Sequence, residues 1–431
     1  MKAILLKALG KKKKYLQQKN CSEEEIDFSS DDSDGSLSSE DESEISKDWI
    51  YKWITSRYLI VKYLGRGTFC RTWLVYDINE FKFVALKMYF PKYYEDSLNE
   101  LKINKKLTTN NNVVKLLDSF LYENHNCLVF QLLGVTLLDI NEYYDEKIPL
   151  NILKNIVYQI LEGLDELHKN KIIHCDLKPE NIMVDVYPNI IKEIISLSNL
   201  KETYMKMISD ALPDTYESFN KSKKKKFKKK IKSRCNTLFS DLLKQKISNF
   251  NESDRRFTIN TDKIKVFLID LGNSEILGEN NEDEIMIRSY RPPENIMNNF
   301  YNEKADIWSL GCIIYELLTG EYLFDIDRDL SYNDKNRQHL AQMEEIFGKI
   351  PSELALNCDF REKLFDRKGN ILGFSKDKDN TNNTNLLETE FGYSKEESIE
   401  LFEFLKLFFE YDYKKRESAR DILSNKWLLN K

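Results

Sequence analysis

The sequence has few of the residues that build metal or disulfide frameworks. Its seven cysteines and four histidines, in 431 residues, form no CxxC pair and no spacing typical of a zinc site. An odd, scattered set of cysteines indicates free thiols in a reducing compartment. Long apolar runs are also missing, because Lys7 interrupts the apolar start and no segment approaches the ~20 apolar residues that a membrane span needs. We therefore expect an intracellular, soluble protein without membrane association.

The first 52 residues contain almost nothing that could be buried. A lysine run is followed by a Ser/Asp/Glu tract from Ser22 to Lys47. Such composition predicts a disordered N-terminal extension over residues 1–52. The tract is either a target for an acid-directed protein kinase or a solvated tail.

From Tyr58 onwards the pattern becomes regular, and it changes once along the chain. Short β-rich runs come first, with one charged amphipathic helix at about 95–107. After Asn141 the chain is mainly helical. The strands are predicted at 58–64, 72–76, 81–88, 113–117 and 127–132, and the helices at 150–169, 303–319, 337–347, 395–411 and 419–423. This order predicts an α+β fold with a small β-rich lobe (about 53–133), a larger helical lobe (about 134–430) and a cleft between them.

One segment interrupts this succession of short elements. Residues 186–261 contain KSKKKKFKKKIKSR at 221–234, in which ten of fourteen residues are basic. Charge of this density favours solvent over a packed interior, so we predict an inserted, solvated spacer. A second polar stretch, 377–388, is predicted to be a loop.

Two motifs in the β-rich part suggest phosphate binding. In Leu64-Gly-Arg-Gly-Thr-Phe-Cys70 the glycines Gly65 and Gly67 would let the backbone approach the phosphates of ATP, although an ordinary hairpin turn is the alternative. Lys87 ends the apolar strand Val84-Ala-Leu-Lys and would contact the α- and β-phosphates. Its ion-pair partner should come from the following helix, where Glu100 is well placed.

Two further motifs suggest phosphoryl transfer. In His174-Cys-Asp-Leu-Lys-Pro-Glu-Asn181, Asp176 would accept the proton of the substrate hydroxyl, Lys178 would stabilise the transferring phosphoryl group and Asn181 would hold magnesium. The order D-x-K-x-x-N after an apolar helix is highly specific. Asp270, in Asp-Leu-Gly after an apolar strand, would bind magnesium at the β- and γ-phosphates.

A fifth motif carries structural residues. Glu294, in Tyr290-Arg-Pro-Pro-Glu, would close the activation segment that begins at Asp270. Arg416 is its expected buried ion-pair partner, and Asp306 would brace the catalytic loop.

The five motifs, in this order, match the protein kinase signature set over about residues 55–430. They predict the bilobal protein kinase fold, with an ATP cleft between the lobes, and an ATP-dependent serine/threonine kinase that uses ATP and Mg²⁺.

Within the protein kinases, the chain resembles the SR-protein (serine/arginine-protein) kinases of the CMGC group. The resemblance includes Cys70 in place of the third glycine, Trp73 soon after it, the hinge 128–134 and the catalytic loop 172–181. It also includes a long spacer, which separates Asn181 from Asp270 by 89 positions. The hinge resemblance implies that Gln131 and Leu133, together with Leu64, belong to the ATP-binding residues, with Phe130 as gatekeeper.

The same resemblance implies a substrate and a mode of regulation. Cys175 replaces the arginine that pairs with a phosphorylated activation segment in many kinases, and SR-protein kinases are considered constitutively active. The expected substrates are Arg/Ser-rich proteins such as SR splicing factors, held in an acidic docking groove. Glu321 and Glu345 align with groove positions, whereas Gln338 stands where the family has an aspartate.

The resemblance also implies a cytoplasmic and nuclear location, because the family's spacer influences that partition. The lysine run is an import signal, a plain solvated run or an RNA contact. Direct nucleic-acid binding is disfavoured because Phe227 is the single aromatic residue in the run. We expect a monomer. A LAMMER-type or other CMGC kinase and a catalytically silent pseudokinase scaffold are the alternatives, and the presence of Lys87, Asp176, Asn181 and Asp270 argues against the scaffold.

Overall fold

The computed structural model describes residues 49–107, 112–145, 147–279, 284–373 and 392–429. Its described residues divide into two compact units. The sheet unit comprises the chain up to Ile140 and the segment Pro179–Ser274, and the helical unit comprises Asn141–Lys178 and the chain from Glu275 onwards. Of the predicted disordered extension, residues 1–52, positions 1–48 lie outside the described residues, as does the predicted loop at 377–388.

An antiparallel sheet of six strands forms the first part of the sheet unit, in the order β1-β2-β3-β4-β6-β5. Its strands are β1 (Trp53–Ile54), β2 (Tyr58–Arg66), β3 (Cys70–Asp77), β4 (Lys82–Tyr89), β5 (Leu116–Tyr122) and β6 (His125–Gln131). Helix α1 (Tyr94–Lys106) follows β4. One face of the sheet buries apolar and aromatic side chains such as Ile60, Trp73 and Leu86, in accord with the β-rich composition of the runs.

The strand β5 begins later than predicted. The apolar run at 113–117 was expected to be a strand, but Val113 forms an isolated parallel bridge with Leu268 instead. The sheet strand proper is Leu116–Tyr122, which pairs with β6 through residues such as Phe120 and Cys127. A short apolar run shows that a segment is extended, but it does not show which neighbour it will pair with.

The spacer is folded, and it packs on the sheet. It contains the helices α4 (Asn189–Ile195), α5 (Leu200–Asp210) and α6 (Lys221–Ile247). Apolar residues of all three helices share one core with β2 and β3. Phe239 of α6 is fully buried, and its ring lies 5.6 Å from that of Tyr76 in β3 and 5.2 Å from that of Tyr204 in α5.

The prediction of a solvated spacer is therefore wrong for most of this segment. The basic residues are concentrated in the first half of α6, where the side chains of Lys225–Lys230 are exposed apart from the half-buried Phe227. The second half buries Ile231, Cys235, Phe239, Leu243 and Ile247 at intervals of four residues. This spacing places them on one face of a helix, a pattern that the charge density of residues 221–234 conceals.

The helical unit is built around two long apolar helices, α3 (Leu150–Lys169) and α8 (Lys304–Thr319). The other helices in chain order are α2 (Leu137–Tyr143, which spans the unit boundary), α7 (Pro293–Ile296), α9 (Tyr332–Phe347), α10 (Ser352–Asn357), α11 (Arg361–Leu364), α12 (Lys395–Leu405), α13 (Ala419–Leu423) and α14 (Lys426–Leu429). In α8 every residue from Ala305 to Leu318 is buried. This helix therefore forms the centre of the unit.

Two helix limits differ from the prediction. Helix α9 begins at Tyr332 rather than 337, because the Ser331 side chain caps it by accepting a hydrogen bond from the backbone N–H of Asp334. Helix α12 ends at Leu405 rather than 411, and a 3₁₀ turn, Lys406–Phe408, follows it.

Two small antiparallel ladders complete the fold. In the helical unit, β7 (Ile172–Ile173) pairs with β10 (Glu275–Ile276). In the sheet unit, β8 (Ile182–Val184) pairs with β9 (Val266–Leu268), and the spacer is inserted between these two strands. Among the helices of the described residues, none has the length and apolar character that crossing a bilayer would require.

The packing of the spacer on the sheet predicts a sharp contrast between two adjacent residues of α6. Phe239→Ala should destabilise the protein by about 3–5 kcal/mol, because it leaves a cavity among buried rings. Leu238→Ala, at a position 48% exposed, should change stability by less than ~0.5 kcal/mol. Urea unfolding of the full chain, followed by circular dichroism, measures both. Equal midpoints for the two variants would contradict the packed arrangement.

Candidate active site

The glycine turn between β2 and β3 is formed by few contacts within the chain. The backbone N–H of Gly67 donates to the carbonyl of Cys70 at 3.0 Å. A Cβ atom added at Gly65 would meet no described atom within 4 Å, and its φ is not in the left-handed region. Neither backbone strain nor packing therefore requires glycine at position 65. The open space at Gly65 is compatible with the close approach of a ligand to the backbone that the sequence predicts.

Lys87 of β4 lies between two carboxylates. Its Nζ is 3.0 Å from Oε2 of Glu100, which α1 contributes, and 2.7 Å from Oδ1 of Asp270. Burial alone would lower the pKa of Lys87, but the charges of Asp270 and Glu100 outweigh it and raise that pKa well above its usual value. The lysine is therefore a fixed cation. The Tyr89 hydroxyl also hydrogen-bonds to Glu100, which holds that carboxylate in place.

Helix α1 is fastened to the turn that carries Asp270. The Asn99 side-chain amide donates to the carbonyls of Gly272 (2.9 Å) and Ser274 (3.1 Å). Asp270 itself has φ 58° and ψ 69°, the left-handed region that non-glycine residues adopt at a cost of roughly 1–3 kcal/mol. Such a conformation persists only where the surroundings enforce it, and here the enforcing groups are Asn99 and Lys87.

Asn181 and Asp270 are brought together by the β8–β9 ladder. Ile182 pairs with Leu268, and one residue further the N–H of Ile269 donates to the carbonyl of Asn181 at 2.9 Å. Asn181 is buried, whereas 40% of the Asp270 side chain is exposed. A carboxylate and an amide oxygen are ligands of the type that Mg²⁺ prefers, so this pair fits a magnesium ion bound together with phosphates.

The predicted hinge is held from one side by the spacer. The hydroxyl of Tyr187, at the start of the spacer, donates to the carbonyl of Leu132 at 3.0 Å. Gly134 follows, and a Cβ atom there would lie 2.0 Å from the carbonyl oxygen of Val186, so only glycine fits. Gln131 ends β6 and Leu133 is buried. The sheet unit thus fixes the backbone of the residues predicted to contact ATP.

In the helical unit, Asp306 organises the catalytic loop. This fully buried carboxylate accepts hydrogen bonds from the backbone N–H of His174 (2.9 Å) and of Cys175 (3.2 Å). It also lies 2.9 Å from Nε2 of His168. Backbone donors bound to a buried carboxylate give strong, directional hydrogen bonds, so Asp306 fixes the path of the chain immediately before Asp176.

Asp176 and Lys178 lie side by side after this braced turn. Oδ2 of Asp176 is 3.1 Å from Nζ of Lys178, and both side chains are partly exposed. The Asp176 N–H donates to Nδ1 of His174 at 3.3 Å. A carboxylate could accept the proton of a hydroxyl group, and an adjacent cation could stabilise the charge of a transferring phosphoryl group.

Cys175 occupies an apolar site. It is buried in one cluster with Ile285, Met286 and Tyr301, and its carbonyl accepts a hydrogen bond from the N–H of Met286 at 2.9 Å. Burial, with added repulsion from Asp306 and Glu275, raises the pKa of this thiol well above its usual value, so the thiol is neutral. The activation segment therefore contacts the catalytic loop here through apolar packing and a backbone hydrogen bond.

Glu294 and Arg416 form a fully buried, bidentate ion pair. The Oε1 and Oε2 atoms of Glu294 are 2.8 and 2.9 Å from the two terminal nitrogens of Arg416. Arg416 also donates to the carbonyls of Lys304 and Glu410, and it lies over the ring of Trp308. The paired geometry and the extra acceptors satisfy the guanidinium, which a buried charge requires.

The predicted docking residues lie apart from these groups, on and near α9. Glu345 is exposed and Glu321 is half-buried. The side-chain oxygen of Gln338 accepts a hydrogen bond from the N–H of Asp327 at 2.9 Å, and Gln342 donates to the carbonyl of Asp325 at 2.7 Å. Gln338 therefore positions a loop whose aspartates are exposed.

Four positioning residues were not identified from the sequence: His168, Tyr89, Asn99 and Tyr187. Each acts through polar contacts that depend on the folded arrangement, across 138 positions in the case of His168 and Asp306. Among these four residues, only Asn99 could have been identified from the sequence, because it directly precedes Glu100 on the predicted helix.

Comparisons with known proteins identify a matching family and several relatives. The protein kinase domain family matches residues 58–196 and 257–428, so its gap falls within the spacer. The serine/threonine-protein kinase SRPK of Physarum polycephalum is 33% identical over 395 residues, covering 88% of this chain and 87% of that protein. Protein kinase dsk1 of Schizosaccharomyces pombe is 28% identical, covering 86% and 80%. SRSF protein kinase 3 of Homo sapiens is 26% identical, covering 86% of each.

The buried ion pair predicts a large effect of one substitution. Arg416→Met should destabilise the protein by roughly 3–5 kcal/mol, because Glu294 would remain buried without a counter-charge. Arg420→Met, at an exposed position four residues away, should cost less than ~0.5 kcal/mol. Urea unfolding monitored by tryptophan fluorescence compares the two, since Trp308 contacts Arg416. A small loss for Arg416→Met would show that the pair contributes little.

Proposed function

This chain belongs to the protein kinase family and, within it, to the SR-protein kinases, and on that premise we propose that it phosphorylates serines in Arg/Ser-rich proteins without needing phosphorylation of its own activation segment. The fold is that of a protein kinase, and the reaction class is ATP-dependent phosphoryl transfer to serine or threonine. The proposal concerns the substrate, the metal and the regulation.

The sheet unit would bind and orient the nucleotide. Gly65 and Gly67 leave the backbone open to phosphates, and Lys87, kept cationic by its two carboxylates, would contact phosphate oxygens. Asp270 and Asn181 would hold Mg²⁺, which when bound neutralises charge on the phosphates. Gln131 and Leu133 belong to the hinge that Tyr187 supports. Fixed charges cost no reorganisation during the reaction, which is why these contacts among protein groups matter.

The helical unit would act on the acceptor. Asp176 would accept the proton of the serine hydroxyl and align its oxygen, and Lys178 would stabilise the negative charge of the transferring group. Asp306 holds the preceding backbone in place, so the position of Asp176 does not depend on a flexible loop. No covalent enzyme intermediate is needed for this chemistry.

The proposal that activity does not require phosphorylation of the activation segment is based on the apolar site of Cys175. Cys175 clusters with the apolar side chains of Ile285, Met286 and Tyr301, and the backbone of this part of the segment is held by Arg291, which donates to the carbonyls of Ile285 and Met286. The sequence from Asp270 to Glu294 contains three hydroxyl residues, Ser274, Ser289 and Tyr290. Ser274 and Tyr290 are buried, and the Tyr290 hydroxyl donates to Glu316 at 2.7 Å. Ser289 alone is partly exposed among the three.

The substrate part is supported by the relatives and by charge. One relative is named as a kinase of SRSF proteins, and it matches 86% of this chain. The exposed aspartates Asp325, Asp327 and Asp329, with Glu345, offer carboxylates that suit arginine side chains. Gln338 would contribute by holding the Asp327 loop instead of by contacting arginine directly.

Substrate preference is predicted to favour arginine over proline after serine. A Ser/Arg-repeat peptide should be phosphorylated at least ~10-fold more efficiently than a Ser-Pro peptide, because only the former offers guanidinium groups to the acidic loop. Initial rates with radiolabelled ATP give kcat/KM for both peptides, and Asp176→Ala provides the inactive control. Preference for the Ser-Pro peptide would instead indicate another CMGC specificity. Equal inactivity of wild type and Asp176→Ala would indicate a pseudokinase.

Activity is predicted to be independent of activation-segment phosphorylation. Phosphatase-treated enzyme, and the Ser289→Ala variant, should each retain kcat within about twofold of the untreated protein, because the segment is held by apolar contacts. Mass spectrometry confirms that the phosphate has been removed. A loss of tenfold or more after phosphatase treatment, restored by preincubation with ATP, would overturn this part of the proposal.

A further inference from the structure

The first half of α6 presents a continuous basic surface with little compensation. Lys225, Lys226, Lys228, Lys229 and Lys230, here called the lysine face, are all exposed. Among the described residues the one ion pair of the surrounding run joins Lys224 to Glu217, at 2.6 Å. The hydrogen bond from Lys224, with a smaller effect of the Lys228 charge, lowers the pKa of Glu217.

The lysine face destabilises helix α6 electrostatically, because of its position near the N-terminus and because its charges repel one another. Helix α6 has no acidic residue in its first turn, where the helix dipole would favour one, and its N-cap is the neutral Asn220. Lysines three and four residues apart repel one another by roughly 0.2–0.5 kcal/mol per pair. An external group of carboxylates would relieve both effects.

The first described residues after the acidic tract contact this helix. Tyr51 and Trp53, which directly follow the acidic tract, are both hydrogen-bonded to α6. Ser240 donates from its hydroxyl to the carbonyl of Tyr51 at 2.8 Å, and Nε1 of Trp53 donates to the carbonyl of Asn236 at 3.1 Å. Four residues, 47–50, separate Tyr51 from residues 38–46, which read SSEDESEIS and contain four carboxylates and no basic residue.

We propose that this acidic segment, residues 38–46, binds the lysine face of α6 and covers it. The acidic segment lies outside the described residues, and the inference uses only its sequence and the place where the described chain begins. It is independent of the proposed catalytic function.

The distances allow the contact. Along the helix, Lys230 and Lys225 are about 15 and 22 Å from the anchor at Ser240, at 1.5 Å per residue. The described chain begins at Trp49, in the turn closed by the hydrogen bond from the N–H of Lys52 to the carbonyl of Trp49. The carboxylates at positions 40–44 precede Trp49 by five to nine residues, and an extended chain of that length spans up to about 17–32 Å. This length is sufficient for the acidic segment to reach the lysines nearer to Ser240, such as Lys230.

Tethering makes a weak ionic contact effective. A short flexible linker gives an effective concentration in the millimolar range, so contacts that would be negligible between separate molecules become occupied. The contact should weaken with salt, since exposed charges are screened within ~10 Å at 0.1 M ionic strength. While it is formed, other polyanions must compete with the acidic segment for the lysine face.

Zero-length crosslinking of the full chain tests the contact directly. A carbodiimide joins a carboxylate to an amine only when they touch, and peptide mass spectrometry identifies the pairs. We expect crosslinks from Glu40, Asp41, Glu42 or Glu44 to lysines 225–230, and their loss at high salt. Crosslinks from the acidic segment to Lys11–Lys14 instead, or none to α6 while the Lys224–Glu217 pair crosslinks, would overturn the proposal.

Competition provides a second measurement on the full chain. The probe is a fluorescent single-stranded oligonucleotide, used only as a polyanion. The proximal variant carries E40Q, D41N, E42Q and E44Q, and the control variant, with the same change in net charge, carries E23Q, E24Q, E25Q and D27N. Removing the tethered competitor should raise probe affinity about tenfold in the proximal variant and less than about twofold in the control.

The two variants distinguish a local contact from a general charge effect. Replacing the five lysines of the lysine face with glutamine should abolish the difference between them, and thermal unfolding should show that all variants remain folded. Equal gains in affinity for the proximal and control variants, or no gain in the proximal variant, would overturn the proposal.

Discussion

Three backbone pairs between Ile182–Val184 and Val266–Leu268 hold together two halves of the site that lie far apart in the sequence. Through this ladder the carbonyl of Asn181 accepts a hydrogen bond from Ile269, the residue that precedes Asp270. The strained backbone of Asp270 is then retained by Lys87 and by the link from Asn99 to the next turn. Without the ladder, the cation at Lys87 would lose one of the two carboxylates that keep it charged in a buried position.

The same ladder explains how a kinase domain accommodates a long insertion. Because the spacer leaves and returns at paired positions, its length does not change the geometry at Asn181 and Asp270, and a long loop costs little additional closure entropy. The spacer then contributes stability of its own, since its helices bury apolar residues against β2 and β3. Its first residues also support the hinge through Tyr187 and Leu132. The insertion is thus part of the core of the sheet unit.

The helical unit relies on buried charges that are fully paired. Asp306 accepts two backbone hydrogen bonds, and Glu294 and Arg416 neutralise each other with ideal fork geometry. Where a regulated kinase would use an arginine, Cys175 instead lies among apolar side chains. A charge-dependent contact can be switched by phosphorylation, whereas an apolar contact has no such dependence.

The protein kinase fold and family could be predicted from the sequence, because Asp176, Lys178, Asn181 and Asp270 stand in short motifs whose order is specific. Long periodic segments were also predictable, and the helix at Leu150–Lys169 has the expected limits. The packing of the spacer could not be predicted, because the many lysines in residues 221–234 conceal the four-residue apolar spacing that runs from Ile231 to Ile247. The positioning contacts of His168, Tyr89 and Tyr187 could not be predicted from the sequence either. A motif records which chemical groups are present along the chain, but a hydrogen bond between distant residues exists only once tertiary packing has brought its donor and acceptor together.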